Sequence, residues 1–483
     1  MWLTAMTHPI RKGPRHVKSS AGLLFSGESR HQKMRHGAWC HCAYSTRNKE
    51  YKKMLKQRMS LIALGILSAS AAMANDQEQS KGFVEDSHLN IAARNAYISR
   101  DYKNGKQDKA EWGQGFIGKF ESGFTQGTVG VGVDVIGQYA IRLDGGKGRS
   151  GAGGIDFFKK GDSGAAADDL AKGGAAVKFR VSNTVLKYGD QMPAVPVLQY
   201  DNSRLLSETY TGTSIVSKEI EGLQLDAGRF TKEARKSAEG TDSGNLKNIS
   251  YLGGSYKFTE SLSAALYASD MEDVLKKQYV NVNYVLALPE KQSLTFDFNG
   301  YKTKLDKSFA SQRGDEDARD NKIWSLGATW AVGPHTFTLA HQRSTGDTGY
   351  LYGGYRDNTR DTGIGDGGNT ILLANSYWSD FNGKDERSWQ AAYGIDFTTF
   401  GVPGLSYNVA YVRGTNIDDG SGRGNGTERE IFNQFKYVVQ SGPAKDLSLR
   451  ARASWLRVSN NASNYNVGGN ELRLFADYPI NVF

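Results

Sequence analysis

Cysteine is almost missing from this chain: there are two in 483 residues, Cys40 and Cys42. That excludes a small fold stapled by disulfides. Long hydrophobic runs are missing too. No stretch of about 18 apolar residues occurs, which excludes a membrane protein built from helices. Proline is scarce at 9, whereas glycine reaches 57, about 12% against a usual ~7%. Tyr and Phe are abundant, at 24 and 21.

The formal net charge of +9 misleads. Residues 54–74 have a basic start (Lys56, Arg58), a short apolar core (Met59 to Leu67) and a small-x-small end at Ala72-Met73-Ala74. That pattern reads as a cleaved secretory signal peptide. Residues 1–53 are then expected to be a mis-called, disordered extension, and 75–483 a single exported domain. Residues 1–74 hold 13 Lys+Arg against 2 Asp+Glu, which leaves 47 against 49. The exported part is near neutral, so no nucleic-acid partner is expected. Both cysteines and five of the eight histidines fall in the discarded segment.

Period-2 alternation recurs along 75–483, and a helical period is hard to find. From Thr128 to Asp144, Val129, Val131, Val133, Val135, Tyr139, Ile141 and Leu143 share one face. Thr128, Gly130, Gly132, Asp134, Gln138, Ala140, Arg142 and Asp144 share the other. Such strands come in pairs joined by very short turns, as at Pro289-Glu290-Lys291-Gln292 and Gly333-Pro334. Long glycine-rich connections, such as 144–174, 189–211 and 344–370, separate the pairs. The spacing predicts about eighteen strands.

Short turns on one side and long loops on the other are the plan of a transmembrane antiparallel β-barrel. Its closed ladder satisfies every backbone polar group in hydrocarbon. Outer-membrane lipid and lipopolysaccharide would then surround it. A soluble sandwich, such as a carbohydrate-binding β-protein, also alternates, but its loops would lengthen at both ends.

Phase assigns the charges. Arg94, Arg142, Lys178, Arg180, Lys436, Arg450, Arg452 and Arg473 fall on the polar phase and should face the lumen. Arg229 and Arg413 fall on the apolar phase and are excluded. The last three strands carry Lys436, Arg450, Arg452 and Arg473, and closure sets them beside the first strand with Arg94. A row of positive charge along a pore guides anions. The plainer alternative is that each Arg pairs with a lumenal acid and braces the wall.

No cofactor, metal or catalytic site is expected. Gly161-Asp162-Ser163-Gly164-Ala165 resembles a protease nucleophile loop, but the exported part has only His88, His335 and His341 as candidate bases. Gly146-x-Gly148-x-x-Gly151 and Gly363-x-Gly365-x-x-Gly368 join no strand to a helix and read as loop composition.

Longer strings carry a resemblance. They include Glu111-Trp112-x-Gln114-Gly115-Phe116, Ser122-Gly123-Phe124-Thr125-Gln126-Gly127, Pro193-x-x-Pro196-Val197, Asp201-x-Ser203-Arg204-Leu205-Leu206 and Lys384-Asp385-Glu386-Arg387-Ser388-Trp389-Gln390. On these the sequence resembles the OprD family of substrate-specific outer-membrane porins, across 83–483. The resemblance implies a monomeric eighteen-stranded barrel with inward-folded constriction loops in a Gram-negative outer membrane. It implies a basic ladder for solute carboxylates, matched by Arg94, Arg450 and Arg452, with Arg204 as a further rung. The constriction loop would present Tyr200, Asp201 and Ser203, and a second loop Ser376, Tyr377 and Asp380. Asp201 with Asp380 would meet the ammonium group of an amino acid. The expected solutes are amino acids, small peptides or organic acids; a nonspecific diffusion porin is the alternative.

Overall fold

The computed structural model describes residues 77–145, 155–159, 165–240, 246–356, 364–368 and 371–483. The signal segment 54–74, residues 1–53 with Cys40 and Cys42, Gly146 to Gly151, Gly161 to Gly164 and Gly363 lie outside the described residues.

Eighteen antiparallel strands form one sheet. They are β1 (His88–Tyr102), β2 (Lys109–Glu121), β3 (Gly130–Asp144), β4 (Asp169–Val181), β5 (Thr184–Gln191) and β6 (Thr209–Ser217). There follow β7 (Leu223–Ala234), β8 (Ile249–Lys257), β9 (Leu262–Met271), β10 (Leu275–Leu288), β11 (Gln292–Leu305) and β12 (Asp320–Val332). The last are β13 (His335–Gly346), β14 (Arg387–Asp396), β15 (Leu405–Ile417), β16 (Gly426–Val438), β17 (Ser448–Val458) and β18 (Gly469–Asn481). Each pairs with its sequence neighbours, and β18 returns to β1, from Asn90 opposite Asn481 to Tyr102 opposite Gly469. The sheet therefore closes without an edge, as hydrocarbon demands.

One rim carries tight connections such as 182–183, 289–291 and 333–334; the other carries long ones, including 192–208, 306–319 and 347–386. The alternation read from sequence sets the faces. Along β3, Val131, Val135, Tyr139 and Ile141 are exposed on the outer wall, while Gly132, Asp134, Gln138 and Ala140 are buried inside. Along β17, Leu449, Ala451 and Trp455 point out, and Arg450, Arg452 and Ser454 point in. Apolar outward positions meet lipid at no cost, whereas the polar inward ones face the barrel interior. Arg229 and Arg413 are exposed outside, as their phase requires.

The interior is partly filled. One apolar cluster joins Val195, Val197 and Leu198 to the aromatic wall Tyr210, Phe230, Tyr251, Tyr267, Tyr279 and Tyr301. A second joins Leu205 and Leu206 to Ala96, Ile98, Ile117 and Ala140, with Phe157 and Phe158. Residues 195–206 thus belong to one segment whose two ends pack on different parts of the wall.

Candidate functional site

The segment 192–208 leaves β5 and folds into the lumen. Its two halves are anchored by the two apolar clusters, and a two-residue hairpin, Ala194–Val195 with Leu198–Gln199, stiffens the first half. The opposing wall makes room for it with glycine. A Cβ on Gly113 would lie 2.5 Å from the Leu205 side chain, and one on Gly115 would lie 3.0 Å from the Leu205 carbonyl oxygen. Side chains on β1 and β3 then fasten the backbone. Arg94 donates to the Asn202 and Arg204 carbonyls at 3.0 and 2.8 Å. Gln138 donates to the Ser207 carbonyl, and its own oxygen accepts from the Ser207 amide.

A second segment, 371–386, crosses the interior along the other wall. Polar side chains on successive strands hold its backbone. Tyr301 accepts from the Leu372 amide, Ser325 from Ala374 and Gln342 from Asn375. Further on, Glu430 accepts from the Trp378 and Ser379 amides at 3.1 and 2.9 Å. Tyr377 accepts from Gln390 at 2.6 Å and lies against Phe432, with ring centroids 4.6 Å apart. Trp378 reaches β1, where the Arg100 guanidinium lies 5.5 Å from its ring. Asp380 accepts hydrogen bonds from Tyr352 and Ser376. Burial pushes its carboxyl up, against those two bonds.

Facing these loops is the wall sewn from β16, β17, β18 and β1. Register sets Lys436 opposite Arg450, and Arg452 opposite Arg473. Two carboxylates, Asp477 and Glu471, serve four of the five lumen-facing guanidiniums on these strands. Asp477 binds Arg94 at 2.6 Å and Arg450 at 3.6 Å. Glu471 binds Arg100 and Arg473, both at 2.6 Å. Arg452 holds the Gln434 amide oxygen at 2.5 Å and lies 5.6 Å from the Phe432 ring. Lys436 has no ion pair among the described residues. The wall therefore carries surplus positive charge. The Arg450 and Asp477 side chains keep 26% and 29% of their surface open.

Other residues of the anticipated ladder lie elsewhere. Arg142 pairs with Asp168 and donates to the Ala167 carbonyl, bracing the root of the β3–β4 loop. Lys178 pairs with Asp134 at 2.7 Å and sits over Phe124. Arg180 bonds Gln77 at 2.8 Å over the same ring, so both are packed beneath residues 77–87 and the β2–β3 turn. Arg204 donates to the Ile155 carbonyl and to Ser203, tying two loops together. Burial, and Arg473 next, lower it to about 10, so it stays a cation at neutral pH.

Asp201 corrects an expectation. Its carboxylate is not presented to a solute but buried, 3.0 Å from the Lys236 ammonium. It joins a network different from that of Asp380. Burial, which would raise Asp201, is outweighed by Lys236, Arg204 and the Ser203 hydrogen bonds, and its carboxyl is held well below the usual range. Ser203 and Tyr200 flank it in the same loop; the Tyr200 ring lies 5.8 Å from the Lys119 ammonium. Nearby, Glu208, Glu233 and Asp366 bring carboxylate oxygens within 4.8 Å of one another. Lys236 at 2.5 Å and Arg235 at 3.2 Å from Asp366 already supply cations there, and both also reach Asp156, so the cluster is a knot joining the β3–β4, β5–β6, β7–β8 and β13–β14 loops. Burial, with Glu233 and Asp366 next, pushes the Glu208 carboxyl well above its ordinary value.

Arg100, outside the set assigned from phase, shares the inward phase of Arg94 along β1, and its guanidinium lies against Glu471.

The closed eighteen-stranded barrel is similar to known proteins over most of the chain. Residues 81–482 match the family described as outer membrane porin, OprD family. Porin D of Pseudomonas aeruginosa is 41% identical over 458 residues, covering 89% of this chain and all of that protein. The crystal structure of OccAB1 from Acinetobacter baumannii is 38% identical with a TM-score of 0.78, covering 85% of this chain and 100% of that one. The structure of Pseudomonas aeruginosa OpdK with vanillate is 31% identical with a TM-score of 0.71, covering 83% and 100%. With its barrel, its loops and nearly its whole length accounted for, the chain belongs to the OprD family of substrate-specific outer-membrane porins.

Proposed function

We propose that this porin passes small carboxylate-bearing solutes, amino acids or organic acids, by facilitated diffusion along the wall of β16, β17, β18 and β1. The observation that carries this reading is the surplus of guanidinium over carboxylate on that wall, where Asp477 and Glu471 are each shared by two arginines. A carboxylate entering between the two loops exchanges part of its water for charge-assisted hydrogen bonds. Arg450 and Lys436, side by side and open to the lumen, are the first candidates to receive it, with Arg452 and Arg473 as the next rung. Several moderate sites in a row let the solute leave as readily as it arrives. That a relative was solved with vanillate, an aromatic carboxylate, supports this solute class.

Asp380, rather than the Lys236-paired Asp201, is the acid we assign to an ammonium group, and the reach of its loop to the β16 wall through Tyr377 and Trp378 supports this. The exported barrel would begin after the signal peptide at 54–74. Liposome swelling with the purified protein tests the reading. Entry of benzoate or glutamate should exceed that of an uncharged sugar of equal size, and equal rates would refute it.

A further inference from the structure

The outer surface carries a second set of basic residues, separate from the pore. Lys302, Lys322, Arg343, Arg387, Arg413 and Arg429 are all exposed on the outward faces of β11 to β16, near the long-loop rim. Register sets them side by side: Lys302 opposite Lys322, Arg343 opposite Arg387, Arg413 opposite Arg429. Like charges directly opposite in a ladder repel. Elsewhere on this wall an acid relieves that repulsion, since Lys276, opposite Lys304, holds Asp270 at 2.9 Å. None of these six has an ion-pair partner among the described residues.

Their height on the barrel is informative. One step toward the membrane centre lie Trp389, Tyr411, Ile431 and Trp455, all exposed on the same outward faces. Aromatic girdles mark the boundary between hydrocarbon and headgroups. The cations thus stand just outside the hydrocarbon. Long loops face the cell exterior in this architecture, so the belt lies at the headgroups of the outer leaflet. The far arc of the same rim is different: its exposed outward residues include Asp101 on β1 and Asp169 on β4.

We propose that the arc from β11 to β16 is a binding site for lipopolysaccharide, whose lipid-anchor phosphates bridge the facing cation pairs. A phosphate between two guanidiniums turns a repulsive pair into two charge-assisted contacts. Asp320, opposite Lys304, is the one acid on the outward phase of these six strands; the arc of facing cation pairs recruits the glycolipid, and the arc with Asp101 and Asp169 does not.

The test uses the full barrel, purified free of glycolipid, in nanodiscs doped with bisphosphorylated lipid A, with bound lipid counted by native mass spectrometry. The variant Arg343→Gln/Arg387→Gln/Arg413→Gln/Arg429→Gln should bind at least about tenfold more weakly, since each basic residue near an anionic surface contributes to the attraction. The corresponding Arg→Lys variant should bind well, and fully dephosphorylated lipid A should not distinguish the proteins. Resistance to SDS before heating certifies a folded barrel; if the quadruple variant fails it, Lys302→Gln/Lys322→Gln carries the comparison. Equal binding by wild type and variant, or displacement of the lipid by inorganic phosphate alone, would overturn the proposal. Single-channel conductance should be the same in wild type and variant, which separates this site from the pore.

Discussion

Arg452 and Arg473 face each other across β17 and β18, two guanidiniums on one rung. Arg473 leans on Glu471 through Nε and Nη2 at 2.6 and 3.1 Å, while Arg452 has the neutral oxygen of Gln434. Glu471 therefore holds Arg100 and Arg473 in place and also offsets their charge. Glu471→Gln should act on both properties in opposite directions. Breaking a buried ion pair costs about 3–5 kcal/mol, so the barrel should unfold in SDS at a lower temperature. Anion preference in a salt gradient should rise. Stability lost with no gain in anion preference would mean that Glu471 only braces the wall.

The seat of segment 192–208 is set by glycine. Any side chain at Gly115 meets the Leu205 backbone oxygen at 3.0 Å, which cannot swing aside as a side chain can. Gly115→Val should push the segment out of its seat and widen the pore. We expect a single-channel conductance raised roughly twofold or more, with the barrel still resistant to SDS, because overpacking of this kind costs about 1–3 kcal/mol and the wall ladder is untouched. An unchanged conductance would place the narrowing elsewhere.

The Asp201–Lys236 tether gives that segment a pH window. Asp201 is held below its ordinary value near 3.8, so its contribution is full above that pH and lost as pH falls through the lower folded value. Lys236 is raised above its ordinary 10.5: burial, which would lower it, is outweighed by Asp201, Asp366, Glu208 and Asp156. Its contribution is full below 10.5 and lost as pH rises through the higher folded value. Open-channel current noise should be flat from about pH 5 to about pH 9 and grow below the Asp201 range. Lys236→Met should raise the noise at neutral pH too. Noise independent of both pH and Lys236 would show that the tether does not control the segment.

Alternation made the barrel legible, and it put Asp134 on β3 and Arg450 and Arg452 on β17 on the inward face, whereas past the register shift at Gly113 Asp144 lies exposed opposite the outward Trp112. It did so because lipid and water impose opposite demands on successive residues, which local sequence records. Partnership was not legible. Arg142, Lys178 and Arg450 look alike in phase, yet Asp168 and Asp134 occupy the first two, whereas Arg450 shares the Asp477 that binds Arg94 from β1. That sharing depends on β1 meeting β18, residues almost 400 positions apart, and no local pattern encodes it. The partner of Asp201 is illegible for the same reason, since Lys236 reaches it from a separate loop. Segment 371–386 has no alternation, being held by scattered side chains of five strands, and only its resemblance flagged Ser376, Tyr377 and Asp380.

The central claim is that uncompensated guanidiniums on the closing wall select carboxylates. Replacing Arg450 and Arg452 with glutamine together removes two inward charges of β17 while keeping side-chain hydrogen bonding. The most direct measurement is the reversal potential of reconstituted channels under a gradient of a carboxylate salt, such as potassium benzoate, for wild type and this variant. Relative carboxylate permeability should fall by roughly three- to tenfold, the scale of one net hydrogen bond of about 1 kcal/mol. An unchanged reversal potential in a folded, conducting variant would contradict it.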